Sequence, residues 1–246
     1  KDMPSPSIVN QFQVLSTNVN LQLDLANFSL FQATKQKTRA LQTQTIFEPI
    51  KWTYGMISIL NLEDAWIGDM GIEILCNCLR LQCIYQLREL WLINNEISDV
   101  GCNHIKNLFN GVPHLALEQL DLSNNPLMRE KGCKRIVEVC KWFKKLRYLN
   151  LSNCGATNDV ATLMIEVLNS NRKLRVNMSN GNINPTVAEI ILALPEECLK
   201  MINFTNNPIM SDTRISSATM NPQQLIEVPP TKNTTSKIVL DQSKIQ

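Results

Sequence analysis

The chain has 246 residues, 44% of them apolar, and a formal net charge of +2. That length suits one large domain or two small ones, and the near balance of charge excludes a strongly basic nucleic-acid binder or a polyanion mimic. Only two histidines occur, His104 and His114, so histidine acid–base catalysis and a histidine-rich metal site are not expected.

The first residues, KDMPSPSIVNQFQ, carry no hydrophobic segment and are not expected to be a signal peptide. No apolar run approaches the ~18–20 residues of a membrane span. Residues 1–18 are expected to form an N-terminal arm. The stretch NVNLQLDLANFSL, from Asn18, reads as a first strand with Leu23 and Leu25 facing inward. The polar, basic segment after it is expected to hold a short helix before Pro49.

From Ile57 a phrase recurs. ISILNLEDAWI is followed by LRELWLINNEI from Leu87, LEQLDLSNNPL from Leu117, LRYLNLSNCGA from Leu146 and LKMINFTNNPI from Leu199. A shortened copy, LRVNMSNGNI, starts at Leu174 with Gly181 at the asparagine position. Each copy leads into a helical phrase opened by a small residue (Gly71, Gly101, Gly132, Ala161). Apolar residues then fall at helical spacing, as with Ile105, Leu108 and Phe109, or Ile136, Val139, Cys140 and Phe143.

This phrase resembles the leucine-rich repeat, and a strand plus a full helix in each unit is similar to the ribonuclease-inhibitor-like subclass. The resemblance runs from about Leu21 to Pro208. It implies an α/β solenoid bent into a horseshoe arc, with a short parallel sheet on the concave face, helices on the convex face and about six to seven repeats. The domain is drawn over 19–212, with an extended C-terminal tail over 213–246. Inside the domain, Leu117, Leu120, Leu122 and Leu127 are expected to fill the core. Asn95, Asn125 and Asn207 are expected to pair with backbone groups of neighbouring turns, and the small residue to let each helix pack close to its strand. The tail is polar and aperiodic. It is expected to order only against another surface, which points to a multi-protein assembly.

Alternate strand residues point to the concave face. They form three columns: Ile59, Glu89, Gln119, Tyr148, Arg175, Met201; then Asn61, Trp91, Asp121, Asn150, Asn177, Asn203; then Glu63, Ile93, Ser123, Ser152, Ser179, Thr205. Ile59, Trp91, Ile93, Asp121 and Tyr148 make the candidate partner-binding patch, set against the alternative that Trp91 only covers a neighbour. A second feature is basic. Arg129 to Arg147 holds eight Lys or Arg against two Glu, and Lys134, Lys141, Lys144 and Lys145 are the candidate dock for an acidic protein surface, set against an ordinary solvated helix face.

Most of the eight cysteines sit in apolar stripes and read as reduced structural thiols, which points to an intracellular compartment, cytoplasmic or cytoskeletal with cilium or axoneme included, or else mitochondrial. Asn150, Asn177 and Asn203 match a glycosylation sequon only because the strand phrase repeats. No nucleophile triad, phosphate loop or cofactor motif occurs in the sequence. The expectation is a non-catalytic interaction module binding other proteins of a large complex, through the concave face, the basic helix and the terminal arms. The alternatives are a cytoskeletal regulator similar to tropomodulin-type or axonemal repeat proteins, or a GTPase-activating protein. The last is disfavoured because the early post-strand loops ANFSL and EDAWIGD lack an arginine finger.

Overall fold

The computed structural model of the chain describes residues 21–25, 47, 57–80, 85–112, 115–219 and 236–239. The N-terminal arm, the expected helix before Pro49, Cys83 and His114 lie outside the described residues.

Strands and helices alternate. β1 is Leu21–Asp24 and β2 Ile57–Asn61. Then come α1 (Gly68–Arg80), β3 (Glu89–Trp91), α2 (Asp99–Asn110), β4 (Gln119–Asp121), α3 (Arg129–Cys140), β5 (Tyr148–Asn150) and α4 (Asn158–Ser170). β6 (Arg175–Asn177) is followed by two short helices, α5 (Ala188–Leu192) and α6 (Glu196–Leu199), and then by β7 (Ile202–Asn203). α7 (Thr213–Ala218) and β8 (Ser236–Val239) complete the described chain. The strands form one open sheet in the order β7-β6-β5-β4-β3-β2-β1-β8, and every described pairing is parallel. This is the leucine-rich-repeat solenoid. Each unit adds one strand to the sheet and sends its chain back through the helical layer.

The core lies between the two layers. The central strand residues Leu60, Leu90, Leu120, Leu149 and Val176 are buried, as are the next inward positions Leu62, Leu92, Leu122, Leu151 and Met178. Opposite them sit the apolar stripes Cys102–Ile105–Leu108–Phe109, Cys133–Ile136–Val139–Cys140 and Val160–Met164–Val167. No unit could bury its stripe alone, because each stripe rests on the neighbouring units.

The asparagines do what the repeat pattern demands. Asn125 accepts from Asn95 N (2.9 Å) and Ile97 N (3.0 Å), and donates to the carbonyls of Leu92 (2.9 Å), Leu122 (2.8 Å) and Ser123 (3.2 Å). Asn95 accepts from Ile67 N and donates to Leu62 O and Ile93 O. Asn207 accepts from Ile183 N and donates to Met178 O and Phe204 O. Cys154 holds the same place in its unit, its thiol directed at Leu122 O (3.0 Å) and Ser152 O (3.4 Å).

The preceding residue has a separate task. Asp64, Asn94, Asn124, Asn153, Asn180 and Asn206 all have φ between 51° and 60°, a left-handed conformation in which Asn and Asp are enriched among non-glycine residues. The Asn-Asn pair is therefore a turn former followed by a backbone plug.

One expectation needs correction and another needs widening. Leu127 is 48% exposed, and Met128 is buried in its place, because the 3-10 turn Pro126–Met128 rotates the second residue after the proline inward. The recurring small residue makes room for the preceding unit as well as for its own. A Cβ on Gly132 would lie 3.0 Å from Cys102 Sγ and 3.3 Å from Asp99 Cα, and one on Gly101 would lie 2.5 Å from Asp69 Oδ1. Just past the drawn boundary at 212, Asp212 caps α7 and Ile215 on that helix is buried. Within the tail, Ser236–Val239 pairs with the chain's own β1, so this part finds its ordering surface on the same molecule.

Candidate functional site

Strand register fixes the concave face. Asp24, Asn61, Trp91, Asp121, Asn150, Asn177 and Asn203 lie side by side in one row across β1 to β7. Beside it runs Gln22–Ile59–Glu89–Gln119–Tyr148–Arg175. The columns read from sequence are therefore in phase, including the shortened unit at Arg175 and Asn177.

Most of that face is occupied with its own geometry. Asn61, Asp121, Asn150, Asn177 and Asn203 each accept the backbone N–H two residues on, at 2.8–3.1 Å. This Asx turn bends the chain out of the strand. Cross-strand bonds join the row laterally: Asn150 donates to Asp121 (2.9 Å), Asn203 donates to Asn177 (3.1 Å), and the Ser152 and Ser179 hydroxyls lie 2.8 Å apart. The sequon asparagines thus hold the sheet's exit together. Trp91 replaces the Asx residue in its unit, so its side chain is free of that duty.

The five candidate patch residues do not stand equal. Trp91, Ile93, Asp121 and Tyr148 are half-buried and reach the face. Ile59, flanked in its column by Gln22 and Glu89, is only 6% exposed and offers a partner almost nothing. Asp121 accepts from Ser123 N, Ser123 Oγ and Asn150 Nδ2. Burial nevertheless pushes its carboxyl above the ordinary range against those three bonds. Burial also raises Tyr148, with the Asp121 charge adding to it and a hydrogen bond with Asn177 opposing it.

Sequence reading missed the acidic character of this end. Glu63 is raised above its ordinary carboxyl value by burial and then by the negative fields of Asp64, Asp121 and Asp24. Four carboxylates therefore converge on the part of the face that carries Trp91. The signal was present in chain order but scattered over three units, and only strand pairing brings it together.

The basic stretch divides in two. Lys134 bridges Glu130 (2.8 Å) and Asp159 (2.6 Å), and Lys141 meets Glu166 (2.5 Å). Lys131 and Arg135 both reach Asp99, at 3.0 and 2.9 Å. Lys131 and Arg135 hold the Asp99 carboxyl below its ordinary range. These cations stitch one unit to the next. Lys144 and Lys145 lie beyond the helix, exposed, and form no ion pair among the described residues. Of the four candidate docking lysines, two are engaged and two are open.

The seven described cysteines are free thiols and buried. Burial pushes Cys76, Cys140 and Cys154 up to about 12 and raises Cys102 and Cys133 further, so they stay protonated and pack as small apolar groups. Among the described residues no cluster of His, Cys, Asp and Glu could hold a metal ion, and no helix is long and apolar enough to cross a membrane.

No protein-family model matches the chain. Among curated proteins, the chain is 31% identical to pig (Sus scrofa) ribonuclease inhibitor over 143 residues, covering 56% of this chain and 30% of that protein. Mouse (Mus musculus) ribonuclease inhibitor is 29% identical over the same length, with the same coverage. Human NACHT, LRR and PYD domains-containing protein 3 is 28% identical over 127 residues, 50% of this chain and 12% of that protein. The chain thus spans about a third or less of the curated relatives it matches. Repeat phrase, parallel sheet and asparagine ladder make the fold a leucine-rich-repeat solenoid, and the chain is similar to ribonuclease inhibitors over part of its length.

Proposed function

We propose that this chain is a non-catalytic protein-interaction module, an adaptor or structural subunit that grips a cationic protein partner on its concave face. The observation that carries this reading is the convergence of Asp24, Glu63, Asp64 and Asp121 on the end of the sheet that presents Trp91 and Ile93. Half-buried aromatic anchors ringed by charge are the usual make-up of an interface hot spot, and a single sign of charge steers encounter with the opposite sign. The raised carboxyl of Glu63 fits this role: burial and then the fields of Asp64, Asp121 and Asp24 disfavour its charge, and a positive partner would offset those fields.

The relatives support an interaction module, because the name of the porcine one describes a protein that acts on another protein. The cytoskeletal reading loses some of its basis, since Lys134 and Lys141 are held by Glu130, Asp159 and Glu166. A cytoplasmic setting goes with the proposal and is supported by the free thiols.

The test places a photo-cross-linking amino acid at Ile93, or at Lys106 on the convex side, in chain purified from its native source. Cross-links from position 93 to proteins with basic surfaces, reduced at least about tenfold in Trp91→Ala and in Glu63→Lys, are expected. Cross-links confined to position 106, or unaffected by both substitutions, would overturn the reading.

A further inference from the structure

Beyond the concave face, the molecule carries a cavity that the proposed function does not use. A cavity of about 650 Å³ opens at the helix-to-strand end of the solenoid, where α2 and α3 finish. Its lining includes Phe109, Val139, Phe143, Trp142, Lys144 and Lys145. Phe109 and Phe143 meet edge to face, ring centres 5.1 Å apart at 84°, and both are buried. Aromatic groups anchored in the core therefore form part of the cavity wall.

The other two features are out of keeping with an ordinary solvated loop. Trp142 is 70% exposed, a large apolar side chain left in water. Its neighbours Lys144 and Lys145 are exposed and make no ion pair among the described residues. Close by in sequence, Lys131, Lys134, Arg135 and Lys141 are each neutralised by a carboxylate.

The contrast is only that those four cations are paired, whereas Lys144 and Lys145 are not.

We propose that this cavity docks an acidic segment of a partner protein that carries a bulky apolar side chain. The apolar side chain would fill the space against Phe109 and Phe143 under Trp142, and flanking carboxylates would meet Lys144 and Lys145. Charge complementarity names the sign of the partner, and the apolar wall names its class. A phosphate backbone would satisfy the lysines and leave the aromatic wall empty, whereas a peptide supplies both groups a few ångströms apart. Trp142 is the natural closing element, since an amphipathic ring at a cavity mouth covers a bound side chain while excluding water.

The test is a display selection. Random twelve-residue peptides on phage are selected on the immobilised full chain and counter-selected on a Trp142→Ala/Lys144→Glu/Lys145→Glu variant, with circular dichroism melts confirming that the variant is folded. Enriched peptides are expected to combine Asp or Glu with a Leu, Ile, Phe or Trp. By fluorescence anisotropy, they should bind at least about tenfold more weakly to Lys144→Glu/Lys145→Glu and to Trp142→Ala, and more weakly as salt rises. No enrichment over the counter-selection, or enriched peptides lacking acidic residues, overturns the proposal. So does tighter binding of oligouridine or phosphatidylserine vesicles that is lost in the same variants. Glu63→Lys leaves this binding unchanged, which separates it from the concave face.

Discussion

Replacing Asn125 with alanine tests the physical account of the repeat. Its amide is fully buried and makes five hydrogen bonds: two backbone N–H groups donate to it, at Asn95 and Ile97, and it donates to the carbonyls of Leu92, Leu122 and Ser123. The alanine variant strands these groups where water has no ready access. Each lost bond is worth about 1 kcal/mol net, and a buried group left unpaired costs about 1–3 kcal/mol. Discounting the longest bond and allowing for local relaxation gives a loss of about 3–5 kcal/mol, in the upper tail of single substitutions. For a chain of this size, that corresponds to a fall in Tm of roughly 6–20 °C. Urea unfolding followed by circular dichroism measures it, with Asn124→Gly as control. Asn124 is exposed at φ 58°, a conformation glycine adopts without strain, so that change should stay within about 1 kcal/mol. Asn125→Cys should recover part of the loss, because Cys154 fills the equivalent place. A loss below about 1 kcal/mol for Asn125→Ala, at unchanged denaturant slope, would refute the view that the ladder holds the turns.

Gly101→Ala should destabilise by about 1–3 kcal/mol, since its Cβ would stand 2.5 Å from Asp69 Oδ1 and 2.8 Å from Ile97 Cγ2; an unchanged thermal midpoint would remove the close-approach argument. Acid should loosen the solenoid. Asp99 and Glu130 titrate below their ordinary values of 3.8 and 4.5 through their Lys and Arg partners, so the unfolded chain binds more protons in that window. Their contribution is present above those values and is lost as pH falls through the folded ones; Asp99→Asn should blunt the acid transition seen by circular dichroism. Thiol labelling at pH 8 should leave the seven described cysteines unmodified until urea unfolds the chain, because they are buried away from the reagent; labelling of Cys140 or Cys154 in the native protein would contradict their packing.

Leu127 and Ile59 show where sequence reading ended. Both follow the apolar pattern of their units, yet one is exposed and the other is buried on a face expected to be open. Pattern matching treats each unit as identical, whereas a proline-led 3-10 turn in one unit and the burial of Ile59 between Gln22 and Glu89 in the other are local outcomes. The lysines teach the same lesson. Lys134, Lys141, Lys144 and Lys145 look alike along the chain, but their charge is open or neutralised according to the acids that the next unit brings alongside. Glu130, Asp159 and Glu166 are 4 to 25 residues away in sequence from the lysines they hold.

The fold was legible because a repeat writes its core in every copy. Leucines two apart along a strand, apolar helix residues at helical spacing and an asparagine at each strand exit have one packing solution, stacking. The site was not legible to the same degree, because a surface on a solenoid is assembled from one or two residues per unit. Sequence determined that Trp91, Asp121 and Tyr148 face the concave side. Tertiary structure alone decided that Asp24, Asp64 and Asp121 act on Glu63, that Ile59 is covered, and that Lys144 and Lys145 stand beside an aromatic cavity. The physical reason is that backbone periodicity is local, whereas electrostatic fields and burial depend on neighbours about thirty residues away.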